Sequence, residues 1–90
     1  MKTTPQETHI RPDKLIDITG EICPMTFVRT KLTLERMTKG DVLEVRLKGL
    51  EPLKNVPRSV IDQGDEILSL VAEEGEGATG VHRLLVRRLR

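Results

Sequence analysis

Aromatic side chains are almost absent from this chain of 90 residues, which has one phenylalanine and neither tyrosine nor tryptophan. Proteins that bind single-stranded nucleic acid commonly stack the bases on aromatic rings. The net charge of +1 also provides no broad positive field for a phosphate backbone. The composition therefore argues against direct nucleic-acid binding, and the core must be built from aliphatic side chains.

Cysteine and histidine are also scarce. The only cysteine is Cys23, and the two histidines, His9 and His82, lie far apart in the sequence. A single cysteine forms neither a disulfide within the chain nor a cysteine-cluster metal site, and the histidines lack a zinc-ligand spacing. We therefore expect no metal site and no cofactor.

Long apolar runs are missing as well. The first residues, MKTTPQETHIRP, lack the apolar core of a secretory signal, and no run approaches the ~20 apolar residues that span a bilayer. We therefore expect a cytoplasmic protein without membrane contact. Residues 1–12 show no periodicity and predict a flexible tail, whereas residues 13–90 predict a single domain.

Apolar periodicity predicts the element order β-α-β-α-β-β in that domain. On the first helix, an apolar stripe is formed by Phe27, Leu34 and Met37, with Val28 and Leu32 alongside. Because both helices connect strands, the pattern predicts a two-layer α+β sandwich, with two helices on one face of a four-stranded mixed sheet. The predicted strands are residues 14–19, 41–47, 67–72 and 81–89, and the predicted helices are residues 24–39 and 55–64.

Particular residues set the predicted helix ends. Pro24 suits the first position of a helix, where its missing N–H has no partner to lose, and Gly40 suits a helix stop. Residues 48–54 contain glycine and proline and predict a loop. Asn55 is then the predicted N-cap of the second helix, with Pro57 in its first turn.

The segment of residues 20–26, GEICPMT, joins the first strand to the first helix and places Cys23 at the predicted N-cap. Backbone N–H groups and the helix dipole both favour negative charge there, so they would stabilise a thiolate. The alternative is that Cys23 is a small buried structural residue. Without a second cysteine or a nearby histidine, dithiol and Cys–His chemistry are not predicted, which leaves transfer between thiols.

The pattern D-x-x-G-x-x-C-P-x-T over residues 17–26 resembles the signature of the TusA/SirA-like sulfur-carrier family. The resemblance extends from about residue 15 to residue 88 and implies a fold like the C-terminal domain of translation initiation factor three. Thr26 stands where that signature usually has a second proline. With Cys23 at the N-cap, the N–H of Thr26 would lie at N3 and would help to stabilise the thiolate.

The resemblance implies that Cys23 carries persulfide sulfur, that Pro24 opens the helix and that Gly20 permits the turn. The sulfur would come from a donor protein, such as a cysteine desulfurase or a rhodanese. It would pass to an acceptor protein in transfer-RNA thiolation, molybdenum-cofactor assembly or sulfur oxidation. If the protein is an enzyme, the resemblance implies a sulfurtransferase.

Two residues beside Cys23 are candidate partner contacts: Met25, a flexible apolar side chain that could instead pack in the core, and Glu21, which could instead be an exposed turn carboxylate. Two other functions stay open, a nucleic-acid-binding module and a regulatory interaction domain in which Cys23 is structural. Basic residues near the C-terminus predict a solvated face, a guarded edge strand or a dock for an acidic partner. These residues are Arg83, Arg87, Arg88 and Arg90.

Overall fold

A computed structural model describes residues 11–22, 24–73, 75, 77 and 80–90. The predicted element order is confirmed in this part of the chain. The predicted tail over residues 1–12 and the predicted turn over residues 74–80 lie largely outside the described residues. The elements are β1 (Lys14–Asp17), α1 (Met25–Glu35), β2 (Val42–Leu47), α2 (Leu50–Asp62), β3 (Glu66–Ala72) and β4 (His82–Arg87).

The four strands form one mixed sheet in the order β1-β2-β4-β3. β1 and β2 are parallel, whereas β4 is antiparallel to both of its neighbours, so the predicted mixed sheet is confirmed. The prediction that the arginine-rich last strand could be an edge strand is wrong. The chain reverses after β3 and β4 enters between β2 and β3, where it pairs on both sides.

Aliphatic side chains of the sheet and both helices form the core between the two layers. Each large aliphatic side chain contributes about 1.5–3 kcal/mol when it is removed from water, so this layer is the main source of stability. In β2 and β4 the buried residues alternate along the strand. The core consists of Ile16, Ile18, Leu34, Leu43, Val45, Leu47, Val56, Val60, Leu84 and Val86.

The buried face of α1 differs from the predicted stripe. Its buried residues are Thr26, Thr30 and Leu34, one helical turn apart, whereas Leu32 is exposed and Phe27 is only partly buried. The Thr30 hydroxyl donates a hydrogen bond to the Thr26 carbonyl at 2.9 Å, which satisfies it within the helix. Two small β-branched residues thus lie on the buried face of α1, a choice that apolar periodicity does not reveal.

The second helix begins directly after Gly49 rather than after Asn55, so the predicted loop and N-cap are wrong. Gly49 has a φ of +102°, a left-handed conformation that favours glycine. Pro52 falls in the first turn, where a backbone N–H has no helical partner, and therefore does not block the helix. Pro57 lies inside the helix instead of in its first turn, and Gly64 follows the end of the helix as predicted.

Candidate functional site

The segment that carries Cys23 follows β1 at the end of the sheet where both helices begin. Because β1 and β2 are parallel, the residues that lead into α1 and residues 48–49, which lead into α2, leave from the same end of the sheet. The end of β3 and the start of β4 reach this end of the sheet as well. Cys23 itself lies outside the described residues, but the residues on both sides of it are placed.

The start of α1 shows that the N-cap is Pro24, not Cys23, so that prediction is wrong by one residue. The Pro24 carbonyl accepts the first helical hydrogen bond, from the Val28 N–H at 2.9 Å, and the Met25 N–H donates to the Ile22 carbonyl at 2.8 Å. The helix begins later because this tight turn precedes it. The Met25 N–H is engaged in that turn, and the positive end of the α1 dipole lies beside the segment.

Thr26 becomes the second residue of α1 rather than the predicted N3 position. Its side chain is fully buried, and its carbonyl accepts the Thr30 hydroxyl. These contacts give Thr26 a packing role at the first turn of the helix. Its effect on the Cys23 thiolate stays a prediction.

The apolar side chains next to Cys23 point to the surface. Ile22 is 80% exposed and Met25 is 47% exposed, so the alternative that Met25 packs in the core is excluded. Leu50, at the start of α2 and at the same end of the sheet, is 72% exposed. Exposed apolar side chains that lie together at one end of a sheet are typical of a surface that contacts another molecule.

Glu21, the other candidate contact, is engaged within the chain. Its Oε2 atom lies 2.9 Å from Nη1 of Arg29, a residue of α1. This ion pair ties the segment before Cys23 to the helix that follows it. Arg29 was not predicted from the sequence, because an ion pair that reaches across a turn follows no periodic sequence pattern.

Asp17 holds the beginning of the same segment. Its Oδ1 atom accepts hydrogen bonds from the Thr19 N–H at 2.9 Å and from the Thr19 hydroxyl at 2.7 Å, and its Oδ2 atom accepts one from Arg46 Nη1 at 3.0 Å. These bonds, those of Thr19 first, lower the pKa of Asp17 to about 2. Asp17 therefore remains ionised and connects the turn after β1 to β2.

Arg46 also binds Glu73, at the end of β3. It donates from Nε to Glu73 Oε2 at 2.7 Å and from Nη2 to Oε1 at 3.0 Å, while Arg83 Nε donates to Oε2 at 3.0 Å. The hydrogen bonds from Arg46, followed by that from Arg83, lower the pKa of Glu73 to about 2. Together with Asp17, these residues form a charged network that links all four strands near the end of the sheet where α1 and α2 begin.

We expect this charged network to contribute to the acid sensitivity of the fold. The pKa values of Asp17 and Glu73 lie near 2, below their ordinary values of 3.8 and 4.5. Their stabilisation is therefore complete above about pH 5 and is lost as the pH falls toward about 2. In the Arg46→Gln variant, the unfolding free energy should change less between about pH 6 and pH 3 than in the wild type.

Urea unfolding at both pH values measures this difference. Because Thr19 still binds Asp17 in the Arg46→Gln variant, the loss of acid sensitivity should be partial. Arg87→Gln is the control, since Arg87 pairs with Glu66 outside the network, and it should retain the wild-type acid dependence. An Arg46→Gln variant that loses as much stability in acid as the wild type would contradict the role of the network.

The basic residues near the C-terminus all lie close to carboxylates of the same chain. Arg83 pairs with Glu73 at 3.0 Å and Arg87 pairs with Glu66 at 3.4 Å. Arg88 and Arg90 lie 3.7 and 3.6 Å from the buried carboxylate of Asp65. This internal pairing disfavours the predictions of an arginine surface for nucleic acid or for an acidic partner.

Gly20 has no visible steric requirement for glycine. Its φ is not in the left-handed region, and a Cβ atom at this position would meet no atom within 4 Å among the described residues. The turn after β1 is held instead by Asp17 and by the Glu21 N–H, which donates to the Ile18 carbonyl at 3.0 Å. The role of Gly20 in permitting the turn therefore stays a prediction without support from the geometry.

The part of the chain that the structure describes contains neither a cluster of metal ligands nor a membrane-spanning helix. Its histidine, aspartate and glutamate residues form no group of three or more that could hold a metal ion. None of its helices is long and apolar enough to cross a membrane. His82 Nδ1 lies 2.9 Å from the Gly80 carbonyl, a contact that holds the start of β4.

Known proteins resemble this chain in both sequence and fold. A family model described as sulfurtransferase TusA matches residues 14–88. A candidate sulfur carrier protein of Archaeoglobus fulgidus is 40% identical over 70 residues, which cover 78% of this chain and 80% of the relative. The candidate sulfur carrier YedF of Escherichia coli is 31% identical over 62 residues, which cover 69% of this chain and 80% of the relative.

The fold also matches a solved structure, that of a SirA-like protein from Desulfitobacterium hafniense. The TM-score is 0.70 at 20% sequence identity, and the match covers 86% of this chain and 99% of the other. At this identity the likeness concerns the fold, whereas the family assignment rests on the sequence match over residues 14–88. Because that match includes the cysteine motif, both helices and all four strands, the chain belongs to the TusA sulfurtransferase family.

Proposed function

We propose that this protein is a sulfur carrier, which holds sulfur on Cys23 as a persulfide and relays it from a donor protein to an acceptor protein. The observation that carries the proposal is the position of the one cysteine. In the sequence it lies within the family-like motif and directly before the Pro24 cap of α1, and the side chains of Ile22 and Met25 in the same motif are exposed. The names of the relatives support the same role.

Sulfur transfer at this position is an exchange between thiols. The Cys23 thiolate attacks the terminal sulfur of the donor persulfide, the sulfur–sulfur bond of the donor breaks, and the donor cysteine leaves as a thiolate. Delivery repeats the exchange, with an acceptor thiolate as the attacking group and Cys23 as the leaving group. Neither step needs an external oxidant or reductant, because the transferred sulfur keeps its oxidation state.

The α1 N-terminus favours this chemistry. The positive end of the helix dipole lies next to the segment, and it stabilises the thiolate before transfer as well as the anionic persulfide afterwards. The same stabilisation makes Cys23 a better leaving group during delivery, since a thiol of lower pKa leaves faster. An electrostatically tuned thiol therefore suits both halves of a relay.

The partners follow from the contact that sulfur exchange requires. Two sulfur atoms must touch, so the surface around Cys23 has to dock a donor, in the family a cysteine desulfurase or a rhodanese, and then an acceptor. Transfer-RNA thiolation, molybdenum-cofactor assembly and sulfur oxidation are the acceptor pathways that the family suggests. We propose that residues 13–90 form the single carrier domain and that it works in the cytoplasm, where thiols stay reduced.

Incubation with a persulfide donor followed by intact mass spectrometry tests the proposal. We expect the mass to rise by one or more sulfur atoms and to return to its starting value after treatment with dithiothreitol. Native thiol titration of the same sample reports whether Cys23 is accessible. An inert Cys23 that gains no sulfur would instead support a regulatory interaction domain in which this cysteine is structural.

A further inference from the structure

We propose that β3 is a dimer interface, at which two copies of this chain pair their β3 strands in antiparallel orientation and join their sheets. β3 is an edge strand, because the strands have the order β1-β2-β4-β3. The N–H and C=O groups on the free side of an edge strand can pair with a further strand. Dimer formation at this strand is independent of sulfur carriage.

The backbone hydrogen bonds show which groups of β3 stay free. The Glu73 N–H donates to the Val81 carbonyl at 2.9 Å, toward β4. Residues of an antiparallel pair alternate in the side to which they bond, so Leu70 and Ala72 turn their N–H and C=O groups away from β4. No described segment of the chain pairs with β3 on that side. Two copies related by a two-fold axis near Leu70 would satisfy the Leu70 groups reciprocally.

The side chains of β3 lack the features that commonly protect an edge strand. Residues 67–72 include no charged residue, no proline and no glycine. Leu70 and Val71 are 40% and 59% exposed. A β-bulge between Ile67 and Ser69 interrupts the register with β4, but residues 69–72 continue in regular pairing. Because edges are commonly protected by lysine, proline or a short strand, this apolar segment fits pairing with another strand.

The other edge of the sheet shows the protection that β3 lacks. β1 has four residues, Lys14–Asp17, and it is preceded by Pro12. Its two terminal residues are charged and exposed. Leu15 of β1 is 59% exposed, the same fraction as Val71. The two edges therefore differ in their protection and not in the presence of an exposed apolar side chain.

The charges around β3 favour a second copy as the partner. Glu66, at the start of the strand, pairs with Arg87 of the same chain at 3.4 Å. Glu73, after its end, pairs with Arg46 at 2.7 Å. The uncharged residues between these carboxylates meet the same residues of the other copy under two-fold symmetry. No like charges then face each other at the centre of the interface.

α2 adds an exposed apolar side chain on the same side of the molecule. On α1, Thr33 precedes the buried Leu34 and lines a cavity with Lys14, so that flank of α1 faces β1. α2 runs in the same direction and packs over β3 and β4. Its opposite flank, formed by residues that follow the buried ones, therefore lies toward β3. Ile61 follows the buried Val60 on this flank and is 60% exposed, so it adds apolar area to the interface.

Sedimentation velocity between about 10 μM and 1 mM protein tests the proposal. Dithiothreitol in the buffer excludes a disulfide between copies. We expect the mean mass of the wild type to rise with concentration from the 10.2 kDa of one chain toward twice that value. Val71→Lys should raise the dimer dissociation constant by about tenfold or more, because two like charges would lie on the same face near the axis. Leu15→Lys is the matched control and should dimerise like the wild type.

An exchange of charge distinguishes a lost interface from a damaged fold. Val71→Glu alone should also be monomeric, whereas an equal mixture of Val71→Lys and Val71→Glu should associate, because opposite charges then meet. Circular dichroism verifies that each variant is folded. A wild type that stays monomeric over the whole concentration range would overturn the proposal and leave this edge to a strand of another protein. A mixture that stays monomeric, or a Leu15→Lys protein that dissociates like Val71→Lys, would overturn it as well.

Discussion

We expect the Cys23→Ser variant to take up no dithiothreitol-labile sulfur from a persulfide donor, which is a complete loss compared with the wild type. The chain contains a single cysteine, so no other side chain can accept sulfur as a persulfide. Serine differs from cysteine in one atom, and its hydroxyl is not ionised at neutral pH. Intact mass spectrometry of both proteins after the same incubation measures the difference.

The control for Cys23→Ser is a test that the variant is folded. Far-ultraviolet circular dichroism and thermal unfolding should show a variant with the secondary structure of the wild type. A folded Cys23→Ser protein that gains the same labile mass would place the sulfur elsewhere and would refute the carrier role of Cys23. Mass gained by the wild type that resists dithiothreitol would argue equally against a persulfide.

The second large effect is expected at the exposed apolar side chains around the motif. Ile22→Glu and Met25→Glu should each slow sulfur transfer from a protein donor by about tenfold, because a charge would be buried where the partner docks. The side chains are 80% and 47% exposed, so the fold itself should tolerate both changes. The measurement is the rate at which the loaded mass appears after mixing with the donor protein.

Leu32→Glu is the control for these variants. Leu32 also lies on α1 and is 46% exposed, nearly the same as Met25, but it is two turns of helix away from the motif. Loading from a small-molecule persulfide needs no docking and should be normal in all three variants. An unchanged rate for Met25→Glu with the protein donor, or an equal loss for Leu32→Glu, would remove the surface around Cys23 from the interface.

Both predictions depend on a site whose location was predictable and whose details were not. The motif predicted that Cys23 lies where a strand passes into a helix, and the structure has β1 and α1 on the two sides of that position. Local signals are sufficient there, because proline and glycine restrict the backbone within a few residues. The N-cap of α1 is Pro24 rather than the predicted Cys23, because Ile22 and Met25 are joined by a turn that precedes the helix.

The predictions for the start of α2 and for the buried face of α1 were wrong because their sequence signals fit more than one local structure. Gly49 and Pro52 are typical of a loop, but they are equally compatible with a helix start, and packing of α2 on the sheet decided for the helix. Similarly, Thr26 and Thr30 are polar in sequence but lie on the buried face of α1.

The sequence by itself determined the order of elements, the two-layer architecture and the passage from β1 to α1 through the motif, because apolar periodicity and turn residues act over a few neighbouring positions. Only the tertiary structure decided that β4 lies inside the sheet, that Arg46 joins Asp17 to Glu73, and which partner each C-terminal arginine has. These features depend on strands that are distant in the chain, whose pairing is chosen by burial of the whole core and not by any local pattern.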